Sequence, residues 1–361
     1  MTIHSILQII IIFTVIFSGC SSPVDGNIDN YRWIFLGLEG KSVTAVEDTP
    51  WGLFAGTVED GVFRYNESSK SWVSLGLDHA IISGIAYAPT DTPMVLVAVT
   101  CCRIGQVQST PAAIFASVDG GEFWFERDGG LARGNVDSFW ANSILVDEKE
   151  PERMFFGGET FQLLYSEDVG ITWEYVSGGP GQGGGETFSI VLSPDRDGRI
   201  WFGGQTAFSS PVIYRSDDWG RDAKIVYHRT IETAVLQILV DEEDANKLWL
   251  VQHQGGISVS TNGGDTWKVI LPSLMESEDK PIFFYGLDKK NNTLFAVGSL
   301  YAYPTPFSQW ETKLYKSTSA GTTWQELSTP EDVRGAIGLT IDRDSNLLIR
   351  TENGLWHVSR K

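Results

Sequence analysis

No run of lysine or arginine occurs anywhere in the 361 residues. A nucleic-acid-binding surface needs a basic patch, so that class is excluded. The formal net charge of −19 also argues against electrostatic docking on anionic lipid and mainly favours solubility. Cysteine is nearly absent, with Cys20, Cys101 and Cys102 as the three thiols. There is no second Cys pair, and His79, His228, His253 and His357 show no H-x-H spacing. A zinc site is therefore not expected, and neither is any other metal or cofactor. The glycine-rich stretch "GGPGQGGGE" (178–186) lacks the G-K-[ST] ending and following helix of a phosphate loop. It reads as a flexible rim loop, or as backbone that lets a ligand approach closely. Nothing in the composition is low-complexity or disorder-like.

The long hydrophobic run is confined to the start. "ILQIIIIFTVIF" (6–17) is interrupted only by Gln8 and Thr14, and "SGC" follows. It is short for a bilayer-spanning helix, and its end at small residues fits a secretory signal. "FSGC" resembles a bacterial lipobox, which implies a signal peptide over 1–19 and lipidation of Cys20 as the new N-terminus. No Lys or Arg precedes the run, unlike the usual signal. The alternative is an uncleaved signal anchor with Cys20 incidental. Residues 20–30 then read as a polar tether. Ser21 after that cysteine leans toward outer-membrane sorting, so an extracytoplasmic place in a bacterial envelope is expected.

What is abundant is aromatic and glycine. The chain has 13 Trp and 38 Gly, a composition suited to an all-β protein with many turns. An octapeptide recurs: "SVDGGEFW" (117–124), "SEDVGITW" (166–173), "STNGGDTW" (260–267) and "STSAGTTW" (317–324). Trp124 and Trp173 lie 49 apart, and Trp173 and Trp267 lie 94 apart, or two units. The copy expected between them is "SDDWGRDAKIV" (216–226), which keeps Ser216, Asp218 and Gly220 but not the closing Trp. An eroded copy, "YNESSKSW" (65–72), precedes the first.

Each unit carries short apolar runs bounded by Gly, Asp and Asn, such as "AVLQILVD", "KLWLVQ", "GISVSTN" and "TWKVIL". These read as strands, four per unit of roughly 50 residues, the pattern of a β-propeller blade. Six units end in the octapeptide or its remnant. A seventh starts at "GAIGLTID" (335–342) and stops one strand short. "YRWIFLGL" (31–38) has no partners of its own and resembles the post-box strand "KSWVSLGL" (70–77). The expected fold is therefore an all-β, seven-bladed propeller over residues 31–361, whose last blade is completed by strand 31–38. Such closure removes the exposed sheet edge.

The octapeptide resembles the Asp-box, or BNR repeat, of sialidases, sortilin-type receptors, xyloglucanase-like hydrolases and photosystem II assembly propellers. The resemblance implies a propeller and says almost nothing about activity. Asp119, Asp168 and Asp218 are expected to be structural, because Asn262 and Ser319 replace them in two copies. A turn cap tolerates that exchange and a catalytic acid does not.

The boxes mark loops between third and fourth strands. Function is then expected on the opposite face, in the loops between second and third strands and between blades. There "GSLYAYPTPFSQWETK" (298–313) is dense in aromatics. Tyr301, Tyr303 and Trp310, with Arg103, Arg133, Trp140 and His253, are the ligand-binding candidates. An equal alternative is that the aromatics only cover a blade edge. Cys101 and Cys102 form either a vicinal disulfide or two free thiols. Asp137, Glu159, Glu186 and Glu232 are catalytic candidates by position alone, as a glycosidase needs two carboxylates about 5–10 Å apart. The Arg-Ile-Pro motif of sialidases is absent. The expectation is a monomeric binding or assembly module for a glycan or protein, with a glycoside hydrolase as the alternative.

Overall fold

The computed structural model describes residues 30–100, 114–129, 141–158, 163–176, 185–206, 210–229, 233–273 and 280–361, with the backbone alone for Thr100, Ala141, Asn142, Gly185 and Glu186. Among these, the second run of each unit is apolar without alternation because it is covered on both faces. Met154–Gly158 and Leu248–Gln252 are buried at every position. The last runs are short and mostly exposed, as in Glu174–Tyr175 and Ser71–Ser74. Burial therefore falls from the second strand outward, and the fourth strands form the rim.

The described strands form seven antiparallel sheets of four. Blade 1 is Val43–Thr49, Gly52–Thr57, Val62–Asn66 and Ser71–Ser74. Blade 2 begins at Ile81 and blade 3 at Ala141. Blade 4 is Gly185–Leu192, Ile200–Thr206, Pro211–Ser216 and Ala223–His228. Blade 5 is Val235–Val240, Leu248–Gln252, Gly256–Ser260 and Lys268–Leu271. Blade 6 is Ile282–Lys290, Thr293–Leu300, Thr312–Ser317 and Gln325–Leu327. Blade 7 is Ala336–Ile341, Leu347–Thr351 and Gly354–Arg360, closed by Tyr31–Gly37, with Tyr31 opposite Arg360 and Phe35 opposite Trp356. The N-terminal closure expected from the sequence is thus present. Some loops are shorter than the sequence suggests. Glu186 pairs with Gln205 inside a ladder, and the second strand of blade 4 runs on to Thr206.

The core is divided in the same way as the sheets. Seven apolar clusters each draw on two successive blades, so the hydrophobic effect acts between blades. The first strands touch one another around the ring and form its inner wall. Every first strand has a register shift near its start, between 43/45, 82/84, 141/143, 187/189, 235/237, 284/286 and 336/338. Each bulge inserts one residue at the end facing away from the octapeptides, and a bulge re-aims side chains and adds twist.

The octapeptide is a turn with a fixed wiring. Ser166 Oγ accepts the Gly170 N–H at 2.9 Å and donates to Asp168 Oδ1 at 2.8 Å. Asp168 Oδ1 in turn accepts the Thr172 N–H at 2.8 Å. The same bonds recur with Asp119, Asp218, Asn262 and Ser319 in the third position. The fourth and fifth positions are both left-handed, at φ 61° and 75° for Val169 and Gly170. A glycine is present at the fifth position in all five copies, which fits its freedom there. The tryptophan missing from the blade 4 copy has moved into this turn. Trp219 sits at φ 64°, stacks on Tyr165 and lies 3.9 Å beneath the Arg153 guanidinium.

Candidate functional site

The face away from the octapeptides carries an aromatic patch over blades 5 and 6. Its base comes from the first strand of blade 6. Tyr285 is the inserted residue of that strand's bulge, and Phe283 lies two positions before it. His253, between the second and third strands of blade 5, packs on both, with ring centroids 5.1 Å from Phe283 and 5.6 Å from Tyr285. The loop between the second and third strands of blade 6 lies across them. Tyr301 and Trp310 meet edge-on at 4.9 Å, and Phe283 touches both, at 5.7 and 6.0 Å. Phe307 joins Trp310 to Tyr285 at 5.1 and 5.3 Å.

Hydrogen bonds fix the loop. Trp310 Nε1 donates to Thr305 O at 2.9 Å, and the Trp310 carbonyl accepts the Gly335 N–H at 2.8 Å. Gly335 is left-handed at φ 61°, and a Cβ there would lie 2.9 Å from Phe307 O. The blade 6–7 connection can press against this loop only because of that glycine. The aromatics therefore cover a blade edge in part and stay in part exposed. Tyr301, Phe307 and Trp310 cover one another while staying partly exposed, and Tyr303 stands free at 80% exposure.

His253 and Tyr285 are held in neutral forms. Burial lowers the His253 pKa. Burial first, and then the nearby Glu352 charge, raises that of Tyr285. The phenol oxygen lies 3.4 Å from His253 Nε2. A protonated phenol beside a neutral imidazole can donate and accept hydrogen bonds but makes a poor nucleophile. Glu352 Oε1 accepts the Ser42 hydroxyl at 3.2 Å, which brings blades 7 and 1 to the edge of the patch.

Arg350, two residues before Glu352, is a strap between blades. It packs over Gly338 and donates from Nη1 to the Thr44 carbonyl. Burial pulls its pKa down to about 10, which leaves it charged at neutral pH.

His253, Tyr301 and Trp310 are brought together around Phe283, with Tyr303 on the same loop. Arg103, Arg133, Trp140, Asp137, Glu159, Glu232, Cys20, Cys101 and Cys102 lie outside the described residues, and of Glu186 only the backbone is described. Phe283, Tyr285 and Glu352 are residues of the patch that sequence reasoning passed over. Among the described residues, no three His, Cys, Asp or Glu side chains converge as a metal site, and no helix is long and apolar enough to cross a membrane.

Fold and patch together define a seven-bladed β-propeller with an aromatic surface opposite its repeated turns. No family profile and no curated protein matches the chain. Among solved structures it is similar to a GH74 xyloglucanase from Xanthomonas campestris, with 19% identity and a TM-score of 0.67. That match covers 92% of this chain and 54% of the enzyme, so the chain spans about half its length. It is also similar to YCF48 from Cyanidioschyzon merolae, with 11% identity, a TM-score of 0.62, and 90% and 98% of the two chains covered. A streptogramin B lyase aligns at 13% identity and a TM-score of 0.62, covering 92% and 98%. At these identities the likeness is one of fold.

Proposed function

We propose that this chain is a non-catalytic binding module, and that the patch of Phe283, Tyr285, Tyr301, Phe307 and Trp310 receives a neutral glycan. The observation carrying this reading is the half-exposed aromatic cluster around an uncharged His253–Tyr285 pair. Aromatic faces take the apolar faces of sugar rings, and neutral donors and acceptors take hydroxyls. The repeated turn, read as an Asp-box, is scaffold. The likeness to xyloglucanases keeps hydrolysis as the second reading, and the likeness to YCF48, an example of which is solved bound to a D1 peptide, keeps a protein partner as another outcome.

A glycan-array screen paired with a hydrolysis assay on the bound sugars tests the reading. Binding without turnover is expected. Tyr303→Ala, which leaves the core untouched, and Trp310→Ala are expected to weaken it about tenfold or more, as losses of contact aromatics do. Binding equal to wild type in both variants overturns the site, and sugar release overturns the non-catalytic reading.

The same proposal places the propeller outside the cytoplasm on a lipid carried by Cys20. Metabolic labelling with a fatty-acid analogue is expected to mark the wild-type chain and not Cys20→Ser.

A further inference from the structure

The turn between the second and third strands of blade 7 puts Glu352 beside the aromatic patch. Its N–H donates to the Gly335 carbonyl at 3.0 Å. A Cβ on Gly335 would lie 3.4 Å from Glu352 Cβ as well as 2.9 Å from Phe307 O. The backbone therefore holds this side chain against the loop of Phe307 and Trp310, and its charge reaches the Tyr285 phenol.

That carboxylate has no counter-charge. The cations of the surrounding segments are engaged elsewhere. Lys41 pairs with Asp60 at 2.6 Å and Lys313 with Glu311 at 3.0 Å. Arg334 and Arg350 donate to the carbonyls of Glu331 and Thr44. Glu352 Oε1 accepts the Ser42 hydroxyl at 3.2 Å, while Oε2 is neither bonded to a described residue nor buried. One carboxylate oxygen thus stays open beside aromatic rings and the neutral His253–Tyr285 pair.

We propose that Glu352 sets the specificity of the patch: its open oxygen takes a hydroxyl of a neutral sugar, and its charge turns away glycans that carry a carboxylate, sulfate or phosphate. This rests on the glycan reading above and adds the group that chooses among glycans. A hydrogen bond to an ionised acceptor is about twice as strong as one between neutral groups. The same charge, beside rings that exclude water, opposes a second anion more strongly than it would in bulk solvent. Discrimination then comes from a repulsive element as much as from an attractive one.

The test is an array that holds neutral oligosaccharides beside the same chains bearing sialic acid, glucuronic acid or sulfate. The readout is the ratio of neutral to acidic binding, at low and at high salt. The wild-type chain is expected to bind the acidic members about tenfold more weakly, with the gap narrowing as salt screens it. Glu352→Gln keeps an acceptor for Ser42 and removes the charge. It is expected to close most of that gap with the thermal midpoint unchanged, and Glu352→Lys to reverse the preference. Glu67→Gln is the control, because it removes the same charge from an exposed turn on the octapeptide face. It is expected to keep the wild-type ratio, which separates a local effect from that of the net charge of −19. Equal binding of neutral and acidic members by the wild-type chain overturns the proposal. So does a ratio that Glu352→Gln leaves unchanged, or that Glu67→Gln shifts as far. Neutral binding that still depends on Tyr303 and Trp310 would then leave the glycan reading standing, whereas absence of binding to any member overturns both.

Discussion

Replacing Trp201 by alanine is expected to cost about 3–5 kcal/mol of stability, the range for truncating a large buried aromatic. Trp201 is 0% exposed and belongs to a cluster with Ile213 and Tyr227 of blade 4 and Val235, Ile238, Leu248 and Leu250 of blade 5. Its ring fills one blade interface, and its Nε1 donates to the Gly263 carbonyl at 3.0 Å. Alanine would leave a cavity whose walls are rigid sheet on both sides, so collapse offers little relief. Trp201→Phe separates the two contributions. The ring's bulk is largely kept, and Gly263 O retains its bond from Arg215 at 2.6 Å. A cost of about 1–2 kcal/mol is expected for it, from lost volume and one bond. Urea midpoints of the three proteins measure this. A penalty for alanine no larger than that for phenylalanine would show that the interface is not packed as described. Single domains hold only about 5–15 kcal/mol in all, so the alanine variant sits near the edge of folding.

That energetics follows the interfaces explains why the fold was legible. Ser, Asp and Gly at fixed positions encode one turn, and the turn recurs because each interface needs the same geometry. Even its degenerate copies obey: Asn262 and Ser319 accept the same N–H that Asp168 accepts. The blade count and the closing strand follow from those repeats.

The patch was only half legible. Tyr301, Tyr303 and Trp310 declare themselves as aromatics in a loop. Tyr285 does not, because "IFFYGLD" reads as an apolar core run. The strand buries Ile282 and Phe284 and leaves Phe283 and Tyr285 partly exposed, so the patch uses the second face of what reads as a core run. Glu352 sits in "TENG", which reads as an ordinary tight turn, and it reaches the patch through ring closure with Ser42, 310 residues away.

The inner wall holds a further set of groups that the sequence disguises as polar strand positions, and they lead to a pH dependence. Carboxylates and amides of one first strand accept N–H groups of the next. Gln237 Oε1 accepts the Leu287 N–H at 2.9 Å, and Asp288 Oδ2 the Ile341 N–H at 2.8 Å. Glu47 caps the Tyr87 N–H in the same way. Burial, opposed by that bond and by Arg343, raises the Glu47 pKa from 4.5 to about 7. Burial likewise raises Asp288 from 3.8 to about 6, against its bonds from Ile341 and Lys289.

The folded chain therefore keeps protons that the unfolded chain has lost, so stability falls as pH rises from about 4 to about 7 and then levels off. Box carboxylates act oppositely. Asp119, Asp168 and Asp218 are held below their usual range, so their contribution is lost as pH drops below that of the unfolded chain. A stability maximum in the mildly acidic range is expected.

Glu47→Gln removes the buried charge while its amide oxygen still accepts the single Tyr87 N–H. It is expected to leave stability near pH 4 unchanged and to raise it near pH 8 by on the order of 2 kcal/mol, within the size of the shift. Asp288→Asn is the contrasting case. Both Asp288 oxygens accept N–H groups, at 2.7 Å from Lys289 and 2.8 Å from Ile341. An amide would place an NH₂ against one of those donors, so no gain is expected from it. Urea midpoints across this pH range decide. If Glu47→Gln shows the wild-type slope, Glu47 is not the group that holds the proton, and the inner-wall account fails.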